Sequence, residues 1–597
     1  MKNEKRILKL MKSNKEQNTN QTIVGTFTKN KSFGFVVPDN KKVSKDIFIS
    51  KKYFSGAKSN DKVVVQITKP EINGKKPEGK IVEILGNINV AGVDMLSIIK
   101  EYNLPYEFPE FVLNEAKKIE KEVSLDEINN RKDFRNEEIF TIDGDDAKDL
   151  DDAVSVKKTE DNTYILSVHI ADVSYYVREG SFLDKEAITR GTSVYMLNKV
   201  IPMLPKELSN GICSLNEGKD RLTLSVIMEI DKKGNVISSD ITKGVIKVTK
   251  RMSYNIVQKL LDLEEGQEIE EELKKYMPYI NHFKLMAELA HILENRRKEN
   301  GYLDLDIPES KITLDKKGRA IDVGKYEIKF SNTIIEQFML TANETVAEKF
   351  YWIEAPFIYR VHESPDQEKI TDLNRFLYNF GYKIKGNKEN IHPKAFSSIL
   401  EDIKGKDEEK VISNLILRTL KVARYEAQNK GHFGIAGKYY CHFTSPIRRY
   451  PDLYIHRIIS KYLDCNYMVS DEYKEKHEEF AVSYAEKSSE REKIAQKAER
   501  DSVDLKKAEY MESRIGEVYE GIISGVTNFG LFVELENTVE GLIRFENLGN
   551  EYFNYDDMHK QLIGEHTGRV YKMGDKVTVQ VIEANKNLRK VAFKLVE

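Results

Sequence analysis

Asp143, Asp149, Asp151 and Asp152 fall within ten residues of one another in TIDGDDAKDLDDAVSV. Carboxylates this close repel one another unless cations lie between them, and oxygen-only ligands favour hard ions such as Mg²⁺ or Mn²⁺. The segment therefore reads first as a divalent-metal site. Acidic groups on strand ends and in the turn between them could converge on one point, as in two-metal hydrolysis of a phosphodiester, where ions about 3.5–4 Å apart stabilise the attacking and leaving oxygens. An acidic loop in water or a calcium turn carries the same letters, and spacing alone leaves the substrate open.

Such residues need elements to hold them. IFTID reads as a strand, GDDAKD as a turn and DDAVSV as a second strand, with TYILSVHIADVS following as a third. His169 in that third strand is flanked by apolar residues and reads as a hydrogen-bonded core histidine. A second constellation lies in HFTSPIRRYPDLYIHRIISKYL, residues 442–463. Ser445 and Pro446 predict the cap and first turn of a helix whose apolar positions Ile455, Ile458, Ile459 and Tyr462 follow the 3.6-residue period. Arg448 and Arg449 then lie at its N-terminal end, where planar guanidinium groups suit bidentate capture of a phosphate and of charge developing on it. A structural ion pair is the plain alternative. Residues 471–512 predict one long, charged helix with Glu and Lys at i, i+4 spacing, a solvated element from which only Glu499 is carried further.

At 597 residues the chain should hold several domains, and 40% hydrophobic content is ample for folded cores. No apolar stretch is long enough to span a bilayer, and lysines interrupt the apolar residues of MKNEKRILKLMKSNKEQNTNQT where a signal peptide would need a core. A cytoplasmic protein without membrane attachment is expected. Cys213, Cys441 and Cys465 are too few and too scattered for a disulfide framework and read as buried thiols with no disulfide partner. The net charge of −3 hides a polarity: residues 1–80 carry 19 Lys/Arg against 7 Asp/Glu, or +12. That module suits an anionic partner, of which nucleic acid is the simplest.

In KSFGFVVPD, Phe33 and Phe35 alternate on one strand, and in DIFIS, Phe48 lies on a neighbouring one, so three rings can share a face. Bases could stack there while Lys29, Lys31, Lys51 and Lys52 meet phosphates. The paired motifs resemble those of RNA-binding cold-shock domains, five-stranded OB-type barrels, over residues 21–86. At the other end GEVYEGIISGVTNFGLFVELENTVEGLIRFENL alternates apolar and polar residues with glycines at turns and continues to KVTVQVIEANKNLRKVAFKL. GVTNFGLFVEL with VEGLIR is similar to S1-type OB domains, over residues 514–597, with Phe529 and Phe532 as candidate stacking rings.

The order cold-shock barrel, TIDGDDAKDLDDAV, HIADVSYYV, GTSVYMLNKVIPMLPKELSNGICSL, IIEQFMLTANETVA, HFGIAGKYYCHFTSPIRRYPDL and S1-type barrel resembles the ribonuclease II (RNB) family, over nearly the entire chain past residue 20. GDDAKDLDDAV and the connector VDMLSIIKEYNLPYEFPE favour one branch of that family over ribonuclease II itself. The resemblance implies a multidomain α+β protein: a flexible basic tail over 1–20, a cold-shock barrel over 21–86, a connector over 87–135, a large α/β RNB catalytic domain over 136–513 and an S1-type barrel over 514–597. It implies a processive 3′→5′ exoribonuclease that releases nucleoside 5′-monophosphates from single-stranded RNA with Mg²⁺, or with Mn²⁺ as a substitute. Asp143, Asp149, Asp151 and Asp152 would then organise metal, Asp151 being tied most directly to cleavage, and Arg448 would stabilise the phosphoryl transition state. Tyr195 would stack on the terminal bases and set end-product length, Glu499 would lie near the 3′ end, and Tyr254 in RMSY would contact RNA. Asp145 and Asp146 are left out, since the family pattern does not require acids at both positions.

Against the longer family pattern, the sequence shows one cold-shock barrel where two are common, no N-terminal helix-turn-helix stretch and no lysine-rich tail. Catalysis is expected to survive this. Duplex unwinding and association with ribosomes or helicases have no support in the sequence, and a monomer is the default. A catalytically silent RNA-binding regulator or an RNA chaperone on the same scaffold is the alternative reading.

Overall fold

The computed structural model describes residues 22–596 except 41, 44, 72–73, 265, 306–308, 387–390, 407 and 558. The tail expected over residues 1–20 lies outside the described residues. A closed five-stranded barrel stands at each end of the chain, with a seven-stranded mixed sheet and its helices between them.

The N-terminal barrel contains the strands Thr22–Lys29, Phe33–Pro38, Ile47–Ser50, Asp61–Lys69 and Glu78–Asn87. Alternation fills its interior with Phe27, Val36, Ile47, Ile49, Val63 and Val65, all fully buried. Gly34, between the two aromatic residues of KSFGF, is there for packing: a Cβ would lie 2.4 Å from the Phe27 ring. The helix Val93–Glu101 then ties this barrel to the rest of the chain. Ser97 Oγ donates to Asp39 at 2.6 Å, and Asp94 accepts from Lys506 Nζ at 2.6 Å. Glu101 pairs with Arg589 of the C-terminal barrel at 2.6 Å, so one short helix joins both barrels to the long helix Asp471–Glu512.

The central sheet runs in the order Lys250–Ser253, Phe140–Asp143, Asp152–Lys158, Tyr164–Ala171, Asp220–Ile230, Val236–Lys247, Lys132–Asp133. Its edges pair in parallel and its middle is antiparallel. Tyr164–Ala171 is buried on both faces, as a near-continuous apolar run requires. His169 on it is fully buried, is hydrogen-bonded to Ser225 at 2.8 Å and is held neutral by burial, which lowers its pKa to about 3. The helices Ile280–Asn300 and Phe330–Trp352 belong to the same core, the second buried nearly all round.

One expected element shifts. The helix anticipated from Ser445 begins at Tyr450 and runs to Asp464, with Pro451 in its first turn. Residues 445–449 form a tight turn in front of it. Ser445 N–H donates to Asp452, a closure that local cap propensity does not encode. The C-terminal barrel contains Val518–Thr527, Gly530–Leu535, Glu540–Arg544, Lys576–Asn585 and Lys590–Leu595. Between its third and fourth strands it carries a three-stranded sheet, Phe553–Asp556, Gln561–Gly564 and Val570–Lys572, that the sequence reading did not separate from the barrel.

Candidate active site

Asp143 ends its strand and Asp152 begins the next, so the acidic turn closes an antiparallel pair just inside the edge strand Lys250–Ser253. Two polar side chains, half-buried Arg251 and fully buried Ser214, fix the turn. Arg251 Nη2 donates to the carbonyls of Asp145 and Ala147 at 3.2 and 2.7 Å. Ser214 Oγ donates to Lys148 O at 2.8 Å and accepts from Leu150 N–H at 3.1 Å. Asp151 is clamped through its own backbone as well, its carbonyl accepting from Ala171 N–H at 2.9 Å. With the backbone satisfied, the carboxylates are free to point at ligands.

Their environment disfavours charge. Burial raises Asp143 to about 6, with Arg251 opposing and Asp149 adding to the rise. Burial and then the Asp143 carboxylate raise Asp152 to about 8. Asp151, 4% exposed, is held well above the usual carboxylate range by burial, against the pull of Arg448 and the Ile447 amide. Asp143 and Asp151 each keep a buried Oδ2 without a hydrogen-bond partner among the described residues. Such oxygens cost free energy unless something positive or proton-donating meets them. Among the described residues no three acidic, His or Cys side chains form a ready-made ligand set. Partnerless carboxylate oxygens in an open arrangement fit a hard divalent ion that takes the rest of its shell from water and phosphate.

Around this floor the structure gathers the other candidates. Arg448 Nε stands 3.9 Å from Asp151 Oδ2, its side chain 43% exposed. Asp151 Oδ1 accepts from the Ile447 N–H at 2.8 Å, so the turn bearing Arg448 is docked on the aspartate. Tyr195 lies on the short strand Val194–Met196. Its ring is exposed at the surface while its hydroxyl donates to Asp149 Oδ2 at 2.6 Å, and its amide donates to Glu499 Oε1 at 2.7 Å. Burial raises both the Tyr195 phenol, with Asp149 second, and Glu499. Tyr254 opens the helix Tyr254–Leu261 directly after Ser253, the strand partner of Asp143, and its phenol is raised by burial and then by the charges of Asp143 and Asp152. Eight residues from five stretches of sequence thus meet in one place.

Arg449 departs from its expected place beside Arg448. It is paired with fully buried Asp452, Nη2 to Oδ2 at 2.6 Å, and is the structural ion pair of the two. Sequence reasoning also missed Arg251 and Ser214, whose partners are more than 60 residues away. Asp452 carried a signal in its i, i+3 spacing from Arg449.

The two barrels hold the remaining candidates. Phe33, Phe35 and Phe48 form one ring cluster, with centroids 5.5, 6.0 and 5.9 Å apart, and Lys76 Nζ lies 4.5 Å from the Phe35 centroid. Phe529 and Phe532 meet edge to face at 6.1 Å, Phe529 being 52% exposed. Both groups lie on barrel strands or their turns, away from the carboxylates in sequence and element.

Comparison with known proteins agrees with this layout. Residues 131–465 match the model of the RNB domain, residues 35–109 that of the cold shock domain and residues 512–595 that of the S1 RNA binding domain. Ribonuclease R of Thermotoga maritima is 44% identical over 579 residues, spanning 96% of this chain and 80% of that protein. Ribonuclease R 1 of Lactococcus lactis subsp. lactis is 43% identical over 564 residues, 94% of this chain and 68% of that protein. The solved structure of Mycoplasma genitalium RNase R in complex with ribose methylated single-stranded RNA superposes with a TM-score of 0.89 at 27% identity, covering 97% of this chain and 90% of that one.

Proposed function

The chain belongs to the RNB family, in its ribonuclease R group, and from that premise we infer that it is a metal-dependent 3′→5′ exoribonuclease that hydrolyses RNA processively to nucleoside 5′-monophosphates. The observation that carries the reading is the meeting of four aspartates with Arg448 around two buried carboxylate oxygens that have no hydrogen bond among the described residues. A silent RNA-binding scaffold would have no use for that arrangement, since ionised buried carboxylates oppose both folding and the approach of an anionic strand.

In this reading Asp143, Asp149, Asp151 and Asp152 hold divalent metal, Mg²⁺ by preference with Mn²⁺ as a substitute. When bound, the metal supplies charge that activates water and neutralises the phosphodiester oxygens. The chain's own groups do the rest. Ile447 N–H orients Asp151 through Oδ1 and leaves Oδ2 facing the reaction centre. Water oxygen adds to phosphorus as the bond to the 3′ oxygen of the preceding nucleotide breaks; the shortened chain keeps a 3′-hydroxyl and the released nucleotide keeps its 5′-phosphate. Arg448, on a docked turn, offers its guanidinium to the charge that builds on the phosphoryl oxygens. Tyr195 stacks on a terminal base while its hydroxyl stays on Asp149, and Glu499 holds the Tyr195 strand from behind. Tyr254 contacts the strand on the Asp143 side.

Phe33, Phe35 and Phe48, with their lysines, and Phe529 and Phe532 guide an unpaired RNA strand towards the centre. The domain limits given above, a monomeric state and cytoplasmic RNA turnover complete the reading, the last supported by the nature of the substrate. No described helix is long and apolar enough to cross a membrane. The test is incubation with 5′-labelled poly(A) and Mg²⁺. Conversion of full-length strands to a short labelled oligonucleotide, with few intermediates at early times, is expected; intact substrate on saturated protein would favour the regulator or chaperone.

A further inference from the structure

Two arginines stand side by side in the turn before the helix Tyr450–Asp464, yet they face opposite duties. One oxygen of Asp452, Oδ2, accepts from Arg449 Nη2 at 2.6 Å, from Arg449 Nε at 3.1 Å and from Ser445 N–H at 2.8 Å. That oxygen therefore closes the five-residue turn Ser445–Arg449 and draws the second guanidinium behind it. Asp452 is fully buried and pairs with a guanidinium whose side chain is 16% exposed, both nitrogens meeting the same oxygen. Two further contacts set the front of the turn. Ile447 N–H reaches Asp151 Oδ1 at 2.8 Å, and the Arg448 carbonyl accepts from Ser193 N–H and Thr192 Oγ1 at 2.9 and 3.1 Å. The turn thus bridges Asp151 to the stretch leading into Tyr195, with Arg448 projecting between them.

We propose that Asp452 is a positioning residue for catalysis: by anchoring Arg449 and Ser445 through one oxygen, it sorts the two guanidiniums, so that Arg448 alone is presented beside Asp151. The inference rests on the reading of Arg448 as the group that meets the developing phosphoryl charge. Without the carboxylate, Arg449 loses its counter-charge in a place where a bare cation is costly. The Arg449 charge already acts on Asp152, and a shift towards that carboxylate would pull the turn off Asp151 and displace Arg448. Misplacement of a reacting group by about 1 Å is worth about 100-fold in rate. A plain helix-stabilising role for an acid in the first turn would instead lower stability and leave the rate of the folded fraction alone.

The experiment measures single-turnover cleavage of a 5′-labelled single-stranded RNA at saturating protein, beside RNA affinity in the presence of Ca²⁺ and the melting temperature. Asp452→Asn should cut the cleavage rate by about 100-fold with affinity changed by less than about tenfold. Arg448→Ala and the double variant Asp452→Asn/Arg448→Ala should cleave at the same rate, because the aspartate acts through that arginine. Asp452→Asn/Arg449→Gln removes both charges of the buried pair together, and the amide oxygen left in place of the carboxylate can still accept from Ser445. It should fold even where the single variant does not, and should recover most of the rate. Full cleavage by folded Asp452→Asn, an Asp452→Asn/Arg449→Gln protein that cleaves about 100-fold slowly, or a double variant slower than Arg448→Ala alone overturns the proposal. Full activity of Arg448→Ala would instead sink the reading of the site on which it stands.

Discussion

On the N-terminal barrel, Phe33, Phe35 and Phe48 keep half-buried rings at the surface among lysines, while the acidic turn keeps its carboxylates in the interior against one another. The first region gives up little by exposing groups that also have partners in each other. The second holds like charges under burial and leaves two of their oxygens without hydrogen bonds. A binding face assembled from interchangeable rings should weaken by degrees. A centre that depends on one constellation should fail outright, and that difference is open to measurement.

The largest effect is expected in the centre. Asp151→Asn keeps the shape of the side chain and the Ile447 contact but removes charge from the oxygen that faces Arg448. Mononucleotide release should fall below detection while RNA affinity stays within about tenfold, since a neutral isostere disturbs metal chemistry more than strand contacts. Release assayed on gels beside anisotropy binding checks this, and parallel loss of both would erase the contrast between the two regions.

Tyr195 combines features of the two regions, because its ring is exposed and its hydroxyl lies on Asp149. Tyr195→Ala should leave a longer residual oligonucleotide and slow release as well. Tyr195→Phe separates the two contributions. It keeps the stacking ring and so the normal end product, yet loses a hydrogen bond to a charged group, about 1.5–3 kcal/mol or roughly 10- to 150-fold. An end product of unchanged length from the alanine variant would remove the ring from the substrate path.

How far each region was legible follows from the range of its contacts. The acidic turn is local: strand, turn and strand lie within one run of sequence, and the alternation of IFTID and DDAVSV places the aspartates at strand ends as found. The ring cluster is nearly as local, because two adjacent strands pair Phe35 directly with Phe48. The turn Ser445–Arg449 defeated local reasoning. Ser-Pro carries the signature of a helix start, and so does Pro451, and the choice between them is made by Asp452 and by Asp151 nearly 300 residues away. Arg251 and Ser214 under the acidic turn were invisible for the same reason. The division of labour between Arg448 and Arg449 is likewise a property of burial, which adjacent identical residues cannot reveal in one dimension.

The smallest effects should come from the barrel rings, and their order sharpens the comparison. Phe35 is ringed by Phe33, Phe48 and the Lys76 ammonium, so a base stacked there would meet a prearranged aromatic face with positive charge at its edge. Phe35→Ala should weaken binding of single-stranded RNA by about 1–3 kcal/mol with the single-turnover rate at saturation unchanged. Among the described residues Phe529 has Phe532 as its ring neighbour and is 52% exposed, so its loss removes a platform that is less held in place. Phe529→Ala should fall at or below the lower end of that range, and its effect should add to that of Phe35→Ala because the two rings lie on separate barrels. Titration of the two single variants and the double variant with the same oligonucleotide decides the matter: a Phe529 effect larger than that of Phe35 would make the C-terminal barrel the stronger guide and reverse the ranking drawn from ring packing.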